Sequence, residues 1–438
     1  MRKASLLTGF LGLTLVAPRP ALPLPATPRD SRVEIDRASG RIQIQVDGSE
    51  ADAVLAIVAK QAAGQTVEAA DWQRLFATQP YLRLKKREAS LHRDFTDAQF
   101  QQFVLSKELG QHAPDLGRTL QEWKKADLAA AARRVLPYLP ADAHIHVKVY
   151  PVIKPQTNSF VFEVGTDPAI FLYLDPALTR AQFENTVAHE MHHIGYASIS
   201  NRTERALAGL APGVKTAVEW MGAFGEGFAM LAAVGSPDVH PHAFSKSEDR
   251  ARWDRDMANF SQDVKALEKF FLDIIAGGLK TDEEISKVGF TFFGVQGAWY
   301  TVGYRMAVLV EKRDGRAALV ECMSDPRKLL VAYNRAAAEL NAKGTEQLAL
   351  WSPELLEKIG AHTDPSPDIQ RYDLVIRPDF ATRRLRLTAT VDIANPSRET
   401  GFACRTSTLR EHHHRTCANA GFGQHLNSAH AESREEIL

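Results

Sequence analysis

The residues best suited to chemistry lie in one short segment, Asn185-Thr-Val-Ala-His189-Glu190-Met-His192-His193-Ile-Gly195. It places His-Glu-x-x-His inside residues 179–196, whose pattern predicts a helix. At positions i and i+4 the imidazoles of His189 and His193 share one face, a turn apart, and can reach one metal ion. Glu190 lies about 100° round the helix, where it can take a proton from water without being a ligand. Zn2+ suits this pair, since it accepts imidazole nitrogen at about 2.0–2.1 Å and keeps one position open in catalytic sites. His192 falls off the ligand face and reads as a supporting or packing residue. His144 and His146 share one face of a predicted strand and read first as structural histidines.

Two histidines leave a catalytic zinc one protein ligand short. Residues 197–203 contain no histidine, so the close third-histidine spacing of the metzincin pattern is absent. The third ligand falls to Glu226, with Glu219 as the alternative. Glu226 stands between Gly225 and Gly227 in the apolar run MGAFGEGFAML, where a lone carboxylate is costly without a partner such as a metal. Glu219, seven residues earlier, shares roughly the same face of a helix predicted over 214–234. Tyr300 and Tyr304, one turn apart on a later predicted helix, can each offer a phenol to a developing oxyanion, or simply form an aromatic core stripe. His240 and His242, in the loop VHPHAF, are weaker candidates for that task.

Stepping outward, residues 144–152, 160–164 and 169–174 alternate as strands ahead of the metal helix, which Thr179 or Asp175 can cap. Earlier, VEID and RIQIQV about Ser39-Gly40 read as a hairpin, and 49–139 shows helical periodicity throughout. Further helices are predicted over 260–276, 295–313 and 353–359. Beyond a Pro-containing linker at 364–368, residues 372–376 and 385–393 alternate as two strands, too few to bury a core alone.

Composition narrows the class. The chain has 438 residues, 45% hydrophobic and 24% charged, with 53 basic and 53 acidic side chains. Disordered and fibrous chains are excluded, and the zero net charge argues against a nucleic-acid binder. No apolar run reaches the roughly 18–20 residues of a membrane span. A basic start, the run LLTGFLGLTLVA and a Pro/Ala-rich stretch together match a secretory signal peptide, cleaved after Ala21 or Ala26. Export would let Cys404 and Cys417 pair, whereas Cys322 reads as a buried thiol.

The helix HEMHHIGY, then EGFA some thirty residues on, then Gln296-Gly-Ala-Trp-Tyr300-Thr-Val-Gly303-Tyr304 resemble uncharacterised bacterial zinc-dependent peptidases of gluzincin type. The likeness covers about residues 50–360. It implies His189, His193 and Glu226 as ligands and Glu190 as catalytic base. One departure is Met230, four residues after Glu226, where better-known gluzincins often carry a supporting Asp. Separately, RYDLVIRPDFATRRLRLTATVDIANP resembles the opening strands of the β-rich domain of M1-type aminopeptidases, with no activity implied.

The expected class is therefore α+β: a mainly helical, zincin-like metallopeptidase domain with a small sheet before the active-site helix, plus a partial C-terminal β module. The expected divisions are a signal peptide (1–26), a hairpin (27–48), a helical subdomain (49–140), a catalytic domain (141–363), the partial β module (364–397) and a disordered tail (398–438). The expected function is an exported, secreted or periplasmic, Zn2+-dependent hydrolase of peptides or proteins. The alternatives are a secreted binding protein with a structural or degenerate metal site, and a zinc hydrolase of non-peptide substrates.

Overall fold

The computed structural model describes residues 32–35, 40–344 and 346–361, and the strand segments 368–379, 384–394, 405–406, 415–416 and 428–437. The expected signal peptide and the Cys404–Cys417 pair lie outside the described residues. The chain divides into two compact units, Met1–Ala361 and His362–Leu438.

In the first unit a five-stranded sheet is built from β1 (Arg32–Ile35), β2 (Ile42–Val46), β3 (Ile145–Val152), β4 (Phe160–Phe162) and β5 (Ala169–Tyr173), in the order β1-β2-β3-β5-β4. β2, β3 and β5 run parallel, while β1 and β4 pair antiparallel at the two edges. Ile145, Val147 and Val149 point into the core and His146 points out, the two-residue period of a half-buried strand. Between β2 and β3 the chain makes α1 (Ser49–Ala62), α2 (Ala69–Phe76), α3 (Gln79–Ser90), α4 (Asp97–Val104), α5 (Lys107–Trp123) and α6 (Leu128–Val135). After β5 come α7 (Arg180–Ala197), α8 (Ser200–Leu207), α9 (Pro212–Met221), α10 (Gly225–Val234), α11 (Ser247–Met257), α12 (Phe260–Ile275), α13 (Asp282–Thr291), α14 (Ala298–Asp314), α15 (Arg316–Glu321), α16 (Pro326–Ala342) and α17 (Pro353–Lys358). The mainly helical α+β class expected from the sequence is what the structure shows, with the small sheet ahead of α7.

The second unit, taken by itself, contains an antiparallel pair β6 (Asp368–Asp379) and β7 (Arg384–Ala394). After the short pair β8 (Arg405–Thr406) and β9 (Arg415–Thr416), β10 (Ser428–Ile437) adds to the free side of β7.

Three helices of the first unit decide where chemistry can happen. α7 begins with a reciprocal cap: Thr179 Oγ1 accepts from the Gln182 amide at 3.3 Å, and Gln182 Oε1 accepts from the Thr179 amide at 2.8 Å. Asp175 serves the preceding turn instead, accepting from Ala177 N at 2.8 Å. α7 buries Phe183, Val187, Met191 and Ile194, and Phe183 stacks on Trp123 with centroids 4.3 Å apart. α10 is buried from Gly227 to Val234, as an apolar helix with no solvent face must be. It ends at Gly235, whose left-handed φ of 78° stops it. α7 packs on one side of α10 and α14 on another.

The helix expected over 214–234 is broken. Residues Gly222–Phe224 tighten into a 3-10 turn between α9 and α10. Two glycines in the run weaken the helix, and α14 presses directly on the turn: a Cβ on Gly303 would sit 2.5 Å from the Phe224 carbonyl oxygen. The opposite contact is tighter still, for a Cβ on Gly227 would lie 1.9 Å from Tyr304 N. α10 and α14 therefore meet backbone to backbone. Behind them Trp299 packs against Phe224 at 5.3 Å and Trp220 at 6.1 Å, and its indole N–H donates to the Gly289 carbonyl at 2.9 Å.

A buried acid pins α1 to the sheet. Glu50 is fully buried, and its Oε2 accepts from the Ile153 amide at 3.0 Å just past β3. Burial pushes its carboxyl up to about 8, against the pull of the Ile153 bond and of Lys154. A folded pKa above the unfolded one stabilises the fold fully below pH 4.5, and that stability is lost as pH rises toward 8.

Two outcomes follow from the packing and the charge. Gly227→Ala should cost about 3 kcal/mol or more, because backbone cannot yield as a side chain does; a melting temperature equal to the parent's would disprove the crossing. Glu50→Gln should flatten the loss of stability between pH 5 and 8, a loss on the order of 4 kcal/mol, as read by urea titration across that range.

Candidate metal centre

α7 and α10 bring three donor atoms together. His193 Nε2 lies 3.1 Å from His189 Nε2, and Glu226 Oε2 lies 3.1 Å from the first histidine's Nε2 (His189) and 3.2 Å from that of His193. Donors held about 2.0–2.1 Å from one tetrahedral ion stand about 3.3 Å from each other, so this near-equilateral triangle fits a zinc-type site. Protons serve such a triangle poorly, because each can lie along only one edge. Among the described residues these three form the one group of His, Cys, Asp and Glu able to hold a metal together. Two imidazoles and one carboxylate make the three-ligand set of a catalytic zinc, not the closed four-ligand set of a structural one.

The electrostatics agree. Burial alone would lift the Glu226 carboxyl, yet the charge of His193 and the bonds to both imidazoles hold it well below the usual range. Burial would pull His193 down, but Glu226 outweighs it and raises the imidazole to about 9. The Glu226 anion thus demands a cation, and in the absence of metal a proton on His193 answers. Metal binding must displace that proton.

The remaining residues singled out in the sequence divide cleanly. Glu190 is partly exposed on α7, and its charge is felt by both His193 and Tyr300. Tyr300 reaches the cluster: its phenol bonds Glu226, and its ring lies over His189 with centroids 6.2 Å apart. Burial, then Glu226, raises that phenol, so it stays protonated and able to donate. Tyr304 turns elsewhere, donating to the Val239 carbonyl at 3.3 Å and packing on Trp253. Glu219 is not a member of the group; the 3-10 turn takes it out of phase, and its carboxylate lies 3.9 Å from Lys215. His192 is fully buried with a neutral imidazole, its pKa pushed well down by burial and by the neighbouring histidines. His146 contacts the Gly40 carbonyl at 3.2 Å and pairs with the His144 ring at 4.6 Å on the exposed start of β3. His240 bonds Asp254 of α11 at 2.9 Å, away from the cluster's three donors.

Two further features of the site carry no signal in the sequence. Asn185 Oδ1 and His189 Nδ1, one turn apart on the same face of α7, are both buried without a partner. A metal-ligating histidine usually gives its second nitrogen to such an oxygen. In addition, a cavity of about 30 Å3, room for roughly two waters, opens beside His193. Its walls are mostly apolar: Met221, Phe224, Phe228, Met323 and Cys322. The Cys322 thiol is buried, and burial pushes it up to about 12, so it is an inert wall atom.

Residues 72–342, more than half of the chain, match the family described as "Putative zinc dependent peptidase (DUF5700)". No curated protein and no solved structure matches. The matched span runs from α2 to the end of α16 and takes in α7, α10 and α14 whole, so the triangle of His189, His193 and Glu226 is inside it; the chain belongs to this zinc-peptidase family.

Proposed function

We propose that the protein is an exported metallopeptidase of gluzincin type that cleaves peptide bonds with one Zn2+ held by His189, His193 and Glu226. The observation that carries the reading is the triangle of three donor atoms, with no fourth His, Cys, Asp or Glu in the group among the described residues. The family description supports zinc and peptide cleavage. The basic, apolar and Pro/Ala-rich order of the first 26 residues supports export. No helix of the described residues is long and apolar enough to cross a membrane.

Bound there, Zn2+ would polarise the scissile carbonyl and lower the pKa of water toward about 7. Glu190 takes the proton of the attacking water and later delivers it to the leaving amine. Its place one residue after a ligand, partly exposed and near enough for its charge to act on Tyr300, suits a base that must meet water. Tyr300, kept protonated by burial and by Glu226, donates a hydrogen bond to the carbonyl oxygen as negative charge gathers on it. Asn185 Oδ1, one turn from His189 on α7, is the acceptor that would orient the imidazole through Nδ1, and the apolar walls beside His193 limit water around the ligand set.

Elemental mass spectrometry of the purified protein should find about one zinc per chain, and Glu226→Ala should bring it near zero. Unchanged occupancy would move the third ligand elsewhere. Glu190→Gln should keep zinc and lose about 10²–10⁴ in kcat, read on fluorescent casein; cleavage at the wild-type rate would remove Glu190 from the mechanism. Tyr300→Phe should keep zinc and lower kcat by roughly 10²-fold with KM little changed. A protein that binds zinc and cleaves neither peptides nor proteins would favour a binding role or a non-peptide substrate.

A further inference from the structure

One stretch of backbone near the cluster is strained in a way that the proposed chemistry does not use. Among the described residues, three non-glycine positions have positive φ: His92, Glu163 and Gln296, the last at 64°. Gln296 lies in the loop between α13 and α14, four residues before Tyr300. The same loop uses glycine for a left-handed position at Gly294, φ 48°, yet carries a long polar side chain at Gln296. A side chain in that conformation costs on the order of 1 kcal/mol and persists where the surroundings hold it.

The surroundings here form a relay. His242, 4% exposed and packed on Trp253 at 5.2 Å, has its Nδ1 2.8 Å from Ser245 Oγ. With that hydroxyl donating, the tautomer assigned from its partners carries its proton on Nε2. The His242 ring faces the Gln296 amide, and the buried atoms left without a closed hydrogen bond on the two sides are His242 Nε2 and Gln296 Oε1. An imidazole N–H aimed at the amide oxygen turns the amide nitrogen the other way. That nitrogen meets only a weak acceptor, Met230 Sδ at 4.0 Å, and Met230 sits one turn along α10 from Glu226. An oriented amide is thus held with its N–H donors against a thioether that lies one helical turn from Glu226 along α10.

We infer that Gln296 is a substrate-binding residue, whose amide N–H donates to a main-chain carbonyl of an extended peptide, and that His242 is the positioning residue that turns it. The peptide identity of the ligand rests on the metallopeptidase reading; the oriented donor does not. The strain is then the cost of placing a donor where glycine would fold more easily.

The test separates the two readings. Binding of fluorescein-labelled β-casein, an unfolded protein, is measured by anisotropy on the full-length, zinc-loaded Glu190→Gln protein. Adding Gln296→Gly should leave zinc content unchanged and the melting temperature equal or higher, since glycine accepts φ 64° freely. Casein affinity should nonetheless fall about tenfold. Gln296→Glu keeps an oxygen for His242 but replaces the donor by an acceptor, and should weaken binding at least as much. With Glu190 restored, Gln296→Gly should raise KM with kcat within about twofold, the signature of lost uniform binding. Casein affinity in the Gln296→Gly and Gln296→Glu proteins equal to that of the Glu190→Gln parent overturns the inference, as does failure of the Glu190→Gln protein to bind casein. Casein binding that depends on Gln296 without cleavage by the wild type keeps the inference and removes the peptidase reading. Cleavage with an unchanged KM in Gln296→Gly removes the inference alone.

Discussion

Where α10 crosses α14, two backbones touch with nothing between them, and the candidate site is built on that contact. Gly227 and Gly303 are the positions that allow it. Glu226 immediately precedes the first, and Tyr300 comes three residues before the second. The crossing therefore sets how far the carboxylate of one helix lies from the phenol of the other. A methyl group at either glycine would separate the helices by more than the tolerance of a hydrogen bond. The same pressure from Gly303 on the Phe224 carbonyl coincides with the 3-10 turn that starts α10. One close approach thus positions the third donor, the phenol and the turn that removes Glu219.

The local parts of this arrangement were readable from the sequence because they depend on local physics. The cap at Thr179, the i, i+4 pair on α7 and the two-residue alternation of β3 need only their own residues. Glu226 was readable too, since a carboxylate in an apolar run requires a partner wherever it goes. The break between α9 and α10 was not readable. It coincides with the close approach of Gly303, some eighty residues away, and periodicity carries no information about such contacts. For the same reason Tyr300 and Tyr304 looked equivalent, although the loop carbonyl of Val239 takes one and Glu226 the other. The helices α8, α11, α13 and α16 carry enough charged or small residues to blur their apolar stripes, so periodicity does not predict them.

Burial and charge work against each other throughout the site, and the balance differs at each residue. His192 and His193 are neighbours on one helix, yet burial wins at the first and leaves it neutral, while Glu226 wins at the second and leaves it charged. The difference is not in the imidazoles but in what each meets on α10: His192 lies over the Phe228 ring, with centroids 6.5 Å apart, whereas His193 reaches the Glu226 carboxylate. His192 can therefore fill space and shape the apolar side of the helix, while His193 donates its proton to Glu226.

That exchange has a consequence for the order of assembly. A negative carboxylate enclosed by helices would ordinarily oppose closure of the fold until a cation arrived. Here the chain carries its own placeholder, the proton on His193, so the helices can close around the triangle before any ion is present. Whatever proton the three donors share must leave when all of them turn to one ion, which couples loading of such a pocket to pH.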